Sequence, residues 1–359
     1  MTRVLMKGNE VIGEAAVRAG CRYFFGYPIT PQSELPEYLV KRLEEVGGVF
    51  LQAESELAAI NMVFGASGAG VRVMTSSSSP GISLKQEGIS YLAAAELPCV
   101  IVNIMRGGPG LGGIQPSQSD YFQATRGGGH GDYRLIVLAP ASVQELADLT
   151  VQAFDLADKY RLPVMILGDG VLGQMMEAVE FHAGTDGDLP PKTWATTGCR
   201  GRERNVVKTL YLDPEELEEH NRHLQQKYRE IEERETRVET YRTEDADIVI
   251  TAFGTTARIA SSVVDEARNA GIRAGLVRPV TLWPFPYGAL KESVQGCRAV
   301  LDVEMNAGQM LDDVRIAVAG TVPVHFYGRT GGMVPKASDI LAEVKRIGGD
   351  IYASHLRQA

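Results

Sequence analysis

Cysteine is scarce in this chain. The four present, Cys21, Cys99, Cys199 and Cys297, stand apart from one another, and no CxxC pair occurs. An iron–sulfur cluster needs several thiolates gathered closely, so the chain alone is not expected to hold one. Buried, reduced thiols are the expectation for all four. Long apolar runs are missing as well: nothing approaches the ~20 residues of a membrane span. Positive charge is outnumbered, with 36 Lys and Arg against 45 Asp and Glu and a net charge of −9. Nucleic acid and anionic membrane are therefore not expected partners. The opening MTRVLMKGNEVIGEAAVRAGC carries acidic residues within a strand-then-helix pattern. It does not read as a secretion signal, and a cytoplasmic location is the default expectation. A Walker phosphate loop, HExxH and GxSxG are likewise absent.

What is present suits two domains. The 359 residues are 44% hydrophobic and 23% charged, and the 39 glycines suit an α/β protein with many tight turns. Continuous apolar runs such as PCVIVNIM, RLIVLAP and LPVMILGD alternate with helical patterns such as SELPEYLVKRLEEVG, SELAAINMVFGASGAG and ASVQELADLTVQAFDLADKY. Apolar strands between helices mean a parallel sheet covered on both faces. Residues 1–181 are accordingly expected to form one doubly wound α/β domain. The character changes over 182–245. His182–Pro191 is rich in Gly, Asp and Pro, and a charged stretch follows in which Leu217, Leu224, Ile231 and Val238 recur every seven residues. That is a helix with a narrow apolar stripe, read as a connector lying on a surface or against a partner. His220 and His223 lie three apart on it; a solvated helix face is the commoner reading, metal binding the rarer. From 246 to 359 a second, smaller parallel α/β domain is expected, with strands at DIVITAFG, IRAGLVRP, CRAVLDVE and VPVHFYG.

Two motifs fail their structural tests. Gly108–Pro109–Gly110–Leu111–Gly112–Gly113 matches GxGxxG after a strand, but Pro109 and Pro116 bracket it and IQPSQSD is poor helix material. A dinucleotide fingerprint needs a helix to begin inside the motif. Gly168–Asp169–Gly170 at a strand end matches the start of a Mg²⁺–diphosphate motif, yet the next asparagine is the distant Asn205, beyond the connector. A strand-end turn is the better reading. The serine run Ser76–Ser79 lies between a strand and a helix, where capping and pocket lining remain equal alternatives.

Taken together, GYPITPQSE, QAESELAAINMVFGASGAG, TSSSSPGISLKQEGISYLAAAELP and NIMRGGPGLGGIQPSQSDYFQATRGGGHGDYRLIVLAP resemble the α subunits of 2-oxoacid:ferredoxin oxidoreductases. Within that family the likeness is nearest to subunits acting on branched-chain 2-oxoacids such as 2-oxoisovalerate, and next to those for 2-oxoglutarate. It runs from Arg3 to at least Gly328. Residues 1–181 also resemble the pyrimidine-binding domain of transketolase-type enzymes, and 246–330 their C-terminal domain. The resemblance implies thiamine diphosphate shared between subunits. A β subunit would supply the GDG motif, Mg²⁺ and an iron–sulfur cluster. A γ subunit, a ferredoxin-like subunit and external ferredoxin would complete the system, as a dimer of heteromers. It implies oxidative decarboxylation of a 2-oxoacid with coenzyme A to acyl-CoA and CO₂, and by analogy an anaerobic metabolism.

Glu56 is the first candidate. Its segment SELAAINMVFGA matches the one that in the family bears the glutamate contacting N1′ of the aminopyrimidine. Independently, Leu57, Ala58, Ala59, Ile60, Met62, Val63 and Phe64 leave little polar surface around it. An ionised carboxylate there costs several kcal/mol unless paired, so it holds a proton readily. Such a group can share a proton with N1′, favour the imino tautomer, and so let the 4′-imino nitrogen remove the C2 proton. Glu54 is its rival, two positions away and pointing elsewhere on a helix. Thr30, in the loop Tyr27–Pro28–Ile29–Thr30–Pro31, matches a family threonine near the substrate, and the prolines stiffen the loop; an ordinary helix cap is the alternative. The same loop, with Glu56 and Arg106, is expected to touch the cofactor. Arg106, ending the VIVNIM strand, matches an arginine contacting the substrate carboxylate, in line with bidentate guanidinium geometry. His130, within Gly127–Gly131, is a candidate proton donor, or a loop histidine with no role. The alternatives are a 2-oxoglutarate enzyme, a thiamine subunit without ferredoxin partners, and a non-catalytic α/β binding module.

Overall fold

The computed structural model describes residues 3–182 and 189–356; most of the Gly/Asp/Pro-rich run His182–Pro191 lies outside them. A short strand β1 (Val4–Lys7) leads into α1 (Gly8–Arg18), then β2 (Tyr23–Gly26), α2 (Glu34–Glu45), β3 (Val49–Gln52) and α3 (Glu56–Gly68). The alternation continues through β4 (Val73–Ser77), α4 (Pro80–Ala94), β5 (Cys99–Met105), α5 (Tyr121–Arg126), β6 (Ile136–Leu138), α6 (Val143–Tyr160) and β7 (Pro163–Asp169). A turn of helix α7 (Gly170–Gln174) and strand β8 (Met176–Val179) close the first unit, β8 pairing antiparallel with β1. Every residue of β4, β5, β6 and β7 is buried, as a sheet sandwiched between helices requires. The helices begin where side chains offer caps: Ser55 Oγ accepts from the Ala58 N–H at 3.2 Å, and Ser142 Oγ from Glu145 at 3.1 Å.

The connector is α8 (Pro214–Glu235), capped by Asp213 and followed by β9 (Val238–Tyr241). Leu224, Tyr228 and Ile231 are buried against the first domain while Leu217 is exposed, so the stripe is used over only part of its length. Val238 leaves the stripe altogether. It belongs to strand β9, because Thr236 and Arg237 end the helix and the chain turns into the second sheet. His220 bonds the Ala94 carbonyl at 2.8 Å and His223 bonds Glu96 at 3.0 Å; the pair serves packing.

The second unit runs β10 (Ile248–Thr251), α9 (Gly254–Asn269), β11 (Ala274–Pro279), β12 (Thr281–Trp283), α10 (Tyr287–Ser293), β13 (Ala299–Glu304), α11 (Met310–Val318), β14 (Val324–Gly328) and α12 (Ala337–Leu356). Its sheet has the order β14-β13-β10-β11-β9, parallel except for β9 at the edge. The first sheet has the order β12-β6-β7-β5-β4-β2-β3. Its edge strand β12 comes from beyond residue 246 and pairs antiparallel with β6. The α/β class with two parallel-rich sheets is as expected, but each sheet takes an antiparallel edge from outside its expected segment.

Gln118 joins the two units. Fully buried, it donates from Nε2 to the Phe253 carbonyl at 2.7 Å, and its Oε1 accepts from the Met305 N–H and the Thr256 hydroxyl, each at 3.0 Å. Its backbone N–H donates to Met305 O and its carbonyl accepts from Asn306 Nδ2. Cys21, Cys99 and Cys297 are buried free thiols, whereas Cys199, in the irregular part of the connector, is exposed, contrary to expectation. No helix among the described residues is long and apolar enough to cross a membrane.

Candidate active site

The first turn of α4 is the centre of the site. Its N-cap, Ser79, has φ 30, a backbone conformation that side-chain-bearing residues seldom adopt. It is held there from three sides. Ser79 Oγ donates to Asp120 Oδ2 at 2.6 Å and accepts from the Arg106 N–H at 3.0 Å, while its own N–H donates to Asn103 Oδ1 at 3.1 Å. Asn103 also donates to Asp120, at 2.9 Å. Burial pushes the Asp120 carboxyl above its ordinary range, against these two hydrogen bonds.

Glu56 lies against one side of that turn. It is the first residue of α3 and only 5% exposed, whereas Glu54 is exposed. A Cβ placed on Gly81 would stand 2.6 Å from Glu56 Oε1 and 2.0 Å from Ser77 Oγ, so only glycine lets the carboxylate approach so closely. Glu56, in the first turn of α3, thus lies beside the first turn of α4. Among the described residues no hydrogen bond reaches it. Its surroundings are less uniformly greasy than the sequence suggests, since Lys85 is also nearby.

Arg106 lies on the other side of the turn. Its guanidinium donates to the Thr30 carbonyl and to the Leu111 carbonyl, each at 2.9 Å. It thereby ties the Tyr27–Pro31 loop to the GPGLGG loop. Its Nε is buried without a partner. Thr30, Tyr27 and Pro28 are exposed at the carboxyl end of β2, and Ile29 is half-buried. A cavity of about 800 Å³ opens beside Arg106, between the two units. Ser79, Arg106 and Asp120 line it from the first unit, and Met305, Asn306 and Gln309 from the second. A cavity of about 640 Å³ near Trp283 and Arg126 lies away from these residues.

The structure thus places Arg106 and Glu56 at the α4 N-terminus, with Thr30 linked to it through its carbonyl's bond to Arg106, but it does not bring His130 to them. His130 is exposed and lines a separate cavity with Tyr91, Tyr211 and His220, on the α8 side. The discarded motifs are loops and turns. The GPGLGG run forms a tight loop, Gly113 N–H bonding the Gly107 carbonyl at 2.8 Å, with no helix starting inside it. Asp169 caps α7 by accepting from Val171 and Leu172, and Asn205 is engaged by the Thr193 and Ala195 carbonyls. Of the serine run, Ser79 lines the cavity, while the Ser77 and Ser78 hydroxyls are buried without partners. Asp120, Asn103 and Gln32 had no sequence signal; they are isolated polar residues whose importance comes only from where the strands end.

This arrangement fits the ring end of a thiamine cofactor. A buried carboxylate with a free acceptor, unpartnered hydroxyls at Ser77 and Ser78, and the Gln32 amide Nε2 left without an acceptor are polar groups suited to an aminopyrimidine. A family model described as pyruvate flavodoxin/ferredoxin oxidoreductase, thiamine-diphosphate-binding, matches residues 14–241, and a pyruvate:ferredoxin oxidoreductase core domain II matches 246–340. The chain is 52% identical to ketoisovalerate oxidoreductase subunit VorB of Methanothermobacter marburgensis, over 98% of this chain and 99% of that one. Among solved structures it resembles 2-oxoglutarate:ferredoxin oxidoreductase from Magnetococcus marinus with 2-oxoglutarate, coenzyme A and succinyl-CoA bound. There the TM-score is 0.86 at 27% identity, over 96% of this chain but 65% of that one. A split-gene transketolase in an inactive β4 tetramer shares the fold, with TM-score 0.60 at 16% identity and 95% and 97% of the two chains covered.

Proposed function

The chain belongs to the 2-oxoacid:ferredoxin oxidoreductase family, and from that membership we propose that it is the subunit presenting the pyrimidine side of a thiamine-diphosphate site, in an enzyme oxidising a branched-chain 2-oxoacid such as 2-oxoisovalerate. The observation that carries the reading is the Glu56 carboxylate: buried, free of hydrogen bonds and set against the α4 N-terminus through Gly81. Thiamine diphosphate, when bound, would supply the nucleophilic and electron-accepting chemistry of 2-oxoacid decarboxylation. The chain's part is to place Glu56 Oε1 in reach of the ring, where a proton can pass between them, and to receive the substrate. Arg106 supplies the cation for the substrate carboxylate, its unpartnered Nε being the spare donor.

The substrate class follows from the lining. Arg106 is the single cationic side chain among the described residues around the 800 Å³ cavity, which also presents Pro80, Pro109, Met305 and Ala307. Ser83, Asn306, Gln309 and Thr330 share the lining; a single cation beside Asp120 suits a monocarboxylate better than a 2-oxoacid with a second carboxylate. Diphosphate, Mg²⁺ and iron–sulfur clusters are assigned to partner subunits, in keeping with the cap role of Asp169 and the scattered cysteines. Coenzyme A is the acyl acceptor, ferredoxin the electron acceptor, and the setting cytoplasmic.

The test is reconstitution with the partner subunits and methyl-viologen reduction. Glu56→Gln is expected to lower turnover by ~10²–10⁴-fold, while Glu54→Gln stays within a few-fold of wild type. Turnover retained in Glu56→Gln rejects the assignment. Comparing 2-oxoisovalerate, 2-oxoglutarate and pyruvate in the same assay tests the substrate class, and a preference for 2-oxoglutarate would overturn it.

A further inference from the structure

Lys85 has no part in the chemistry described so far, yet it is fully buried. It lies on the face of α4 that packs on α3. Gly81, Lys85 and Gly88, spaced i, i+4 and i+7, face Glu56 and Ile60, spaced i and i+4. At both glycines the helices approach so closely that a Cβ could not be added. On Gly81 it would stand 2.6 Å from Glu56 Oε1, and on Gly88 2.5 Å from Ile60 Cγ2. Lys85 lies between these two contacts. Its ammonium donates to Thr75 Oγ1 at 2.5 Å and to the Ser76 carbonyl at 3.1 Å, both neutral acceptors on β4.

A cation surrounded only by neutral acceptors is costly, and methionine would fill the same volume without that cost. Two titratable groups face Lys85: Glu56 from α3, and Cys99 from β5, whose thiol burial keeps protonated. Glu56 is therefore its counter-charge. Resting on the assignment of Glu56 above, we propose that Lys85 is a positioning residue for Glu56, a buried ammonium beneath the cofactor-facing carboxylate that fixes its place and sustains its charge. Burial draws the ammonium down to about 7, with Glu56 opposing the drop, so the charge on Lys85 is adjustable in the neutral range. A purely structural lysine, there to bond Thr75 and Ser76, would be indifferent to residue 56.

The experiment reads both partners. In the full chain carrying ¹³C-lysine, with Lys85 assigned through Lys85→Arg, the Lys85 titration midpoint is expected to fall by about one pH unit in Glu56→Gln. An unmoved midpoint overturns the proposal. In the reconstituted complex, Lys85→Met is expected to lower kcat at least tenfold, to move the acid limb of its pH profile up by about one unit, and to leave KM for the 2-oxoacid within twofold. An unchanged pH profile also overturns it. The two readings fail separately. Activity retained in Glu56→Gln removes the role of Glu56 itself, whereas an inactive Glu56→Gln with an unmoved Lys85 midpoint removes only the pairing.

Discussion

Arg106 shows how one side chain can be both scaffold and binder. Two of its donors fasten the Thr30 and Leu111 carbonyls, and a third is left for a ligand. Lysine keeps the charge but cannot span two carbonyls with a planar fork. Arg106→Lys is therefore expected to raise KM for the 2-oxoacid about tenfold or more while leaving the fold intact, as steady-state kinetics and a thermal melt would show. At this scale the sequence was informative wherever a side chain's place followed from its neighbours. Glu56 stood out because the apolar residues around it announced burial, and Glu54, two residues earlier, is exposed. Asp120, Asn103 and Lys85 did not stand out. An aspartate in SQSD or a lysine in SLKQE reads as ordinary surface polarity until the sheet determines which strand ends meet.

Beside the buried Leu224, Tyr228 and Ile231, an ion-pair cluster also holds the helix α8 to the first domain. Burial pushes Glu96 up, but the Lys227 ammonium at 2.6 Å and the His223 contact outweigh it and hold the carboxyl at about 2. Lys227 is itself drawn down by burial, so the pair contributes less than the shift of Glu96 alone implies. A depressed carboxyl stabilises above its unfolded pKa of about 4.3 and loses that contribution as pH falls toward 2. Lys227→Met is expected to cost about 1–3 kcal/mol near neutrality. The deficit relative to wild type should close between about pH 4 and pH 2, as acid unfolding followed by circular dichroism would show. The seven-residue recurrence correctly predicted a helix here, but it carried Val238 along, since periodicity records spacing and not the helix end. Strand β12 escaped for a related reason: TLW is three residues long, too short for any alternation to register.

Across the whole molecule the two units are joined by the β12–β6 pairing, by bonds such as Tyr121–Asp313 and Arg278–Glu145, and by Gln118, whose amide and backbone groups are engaged at the second unit. Gln118→Leu would leave the Met305 N–H unpaired in the interior, at about 1–3 kcal/mol, while the Phe253 carbonyl keeps the Thr256 hydroxyl and the Ala257 N–H. Calorimetry is expected to show one cooperative transition for both proteins, with a lower midpoint for the variant. Alternating helices and apolar strands made the α/β class legible from composition and period alone. The contact between the units was not, because it is made by isolated polar residues such as Gln118, Tyr121 and Arg278 and by the short strand β12.

The exchange of edge strands also bears on how the polypeptide is made. The first sheet's outermost member, Thr281–Trp283, is synthesised more than a hundred residues after its neighbour Ile136–Leu138. During translation that neighbour waits with an unsatisfied flank. The nascent chain can settle its amino-terminal half fully only when most of the other half has emerged from the ribosome.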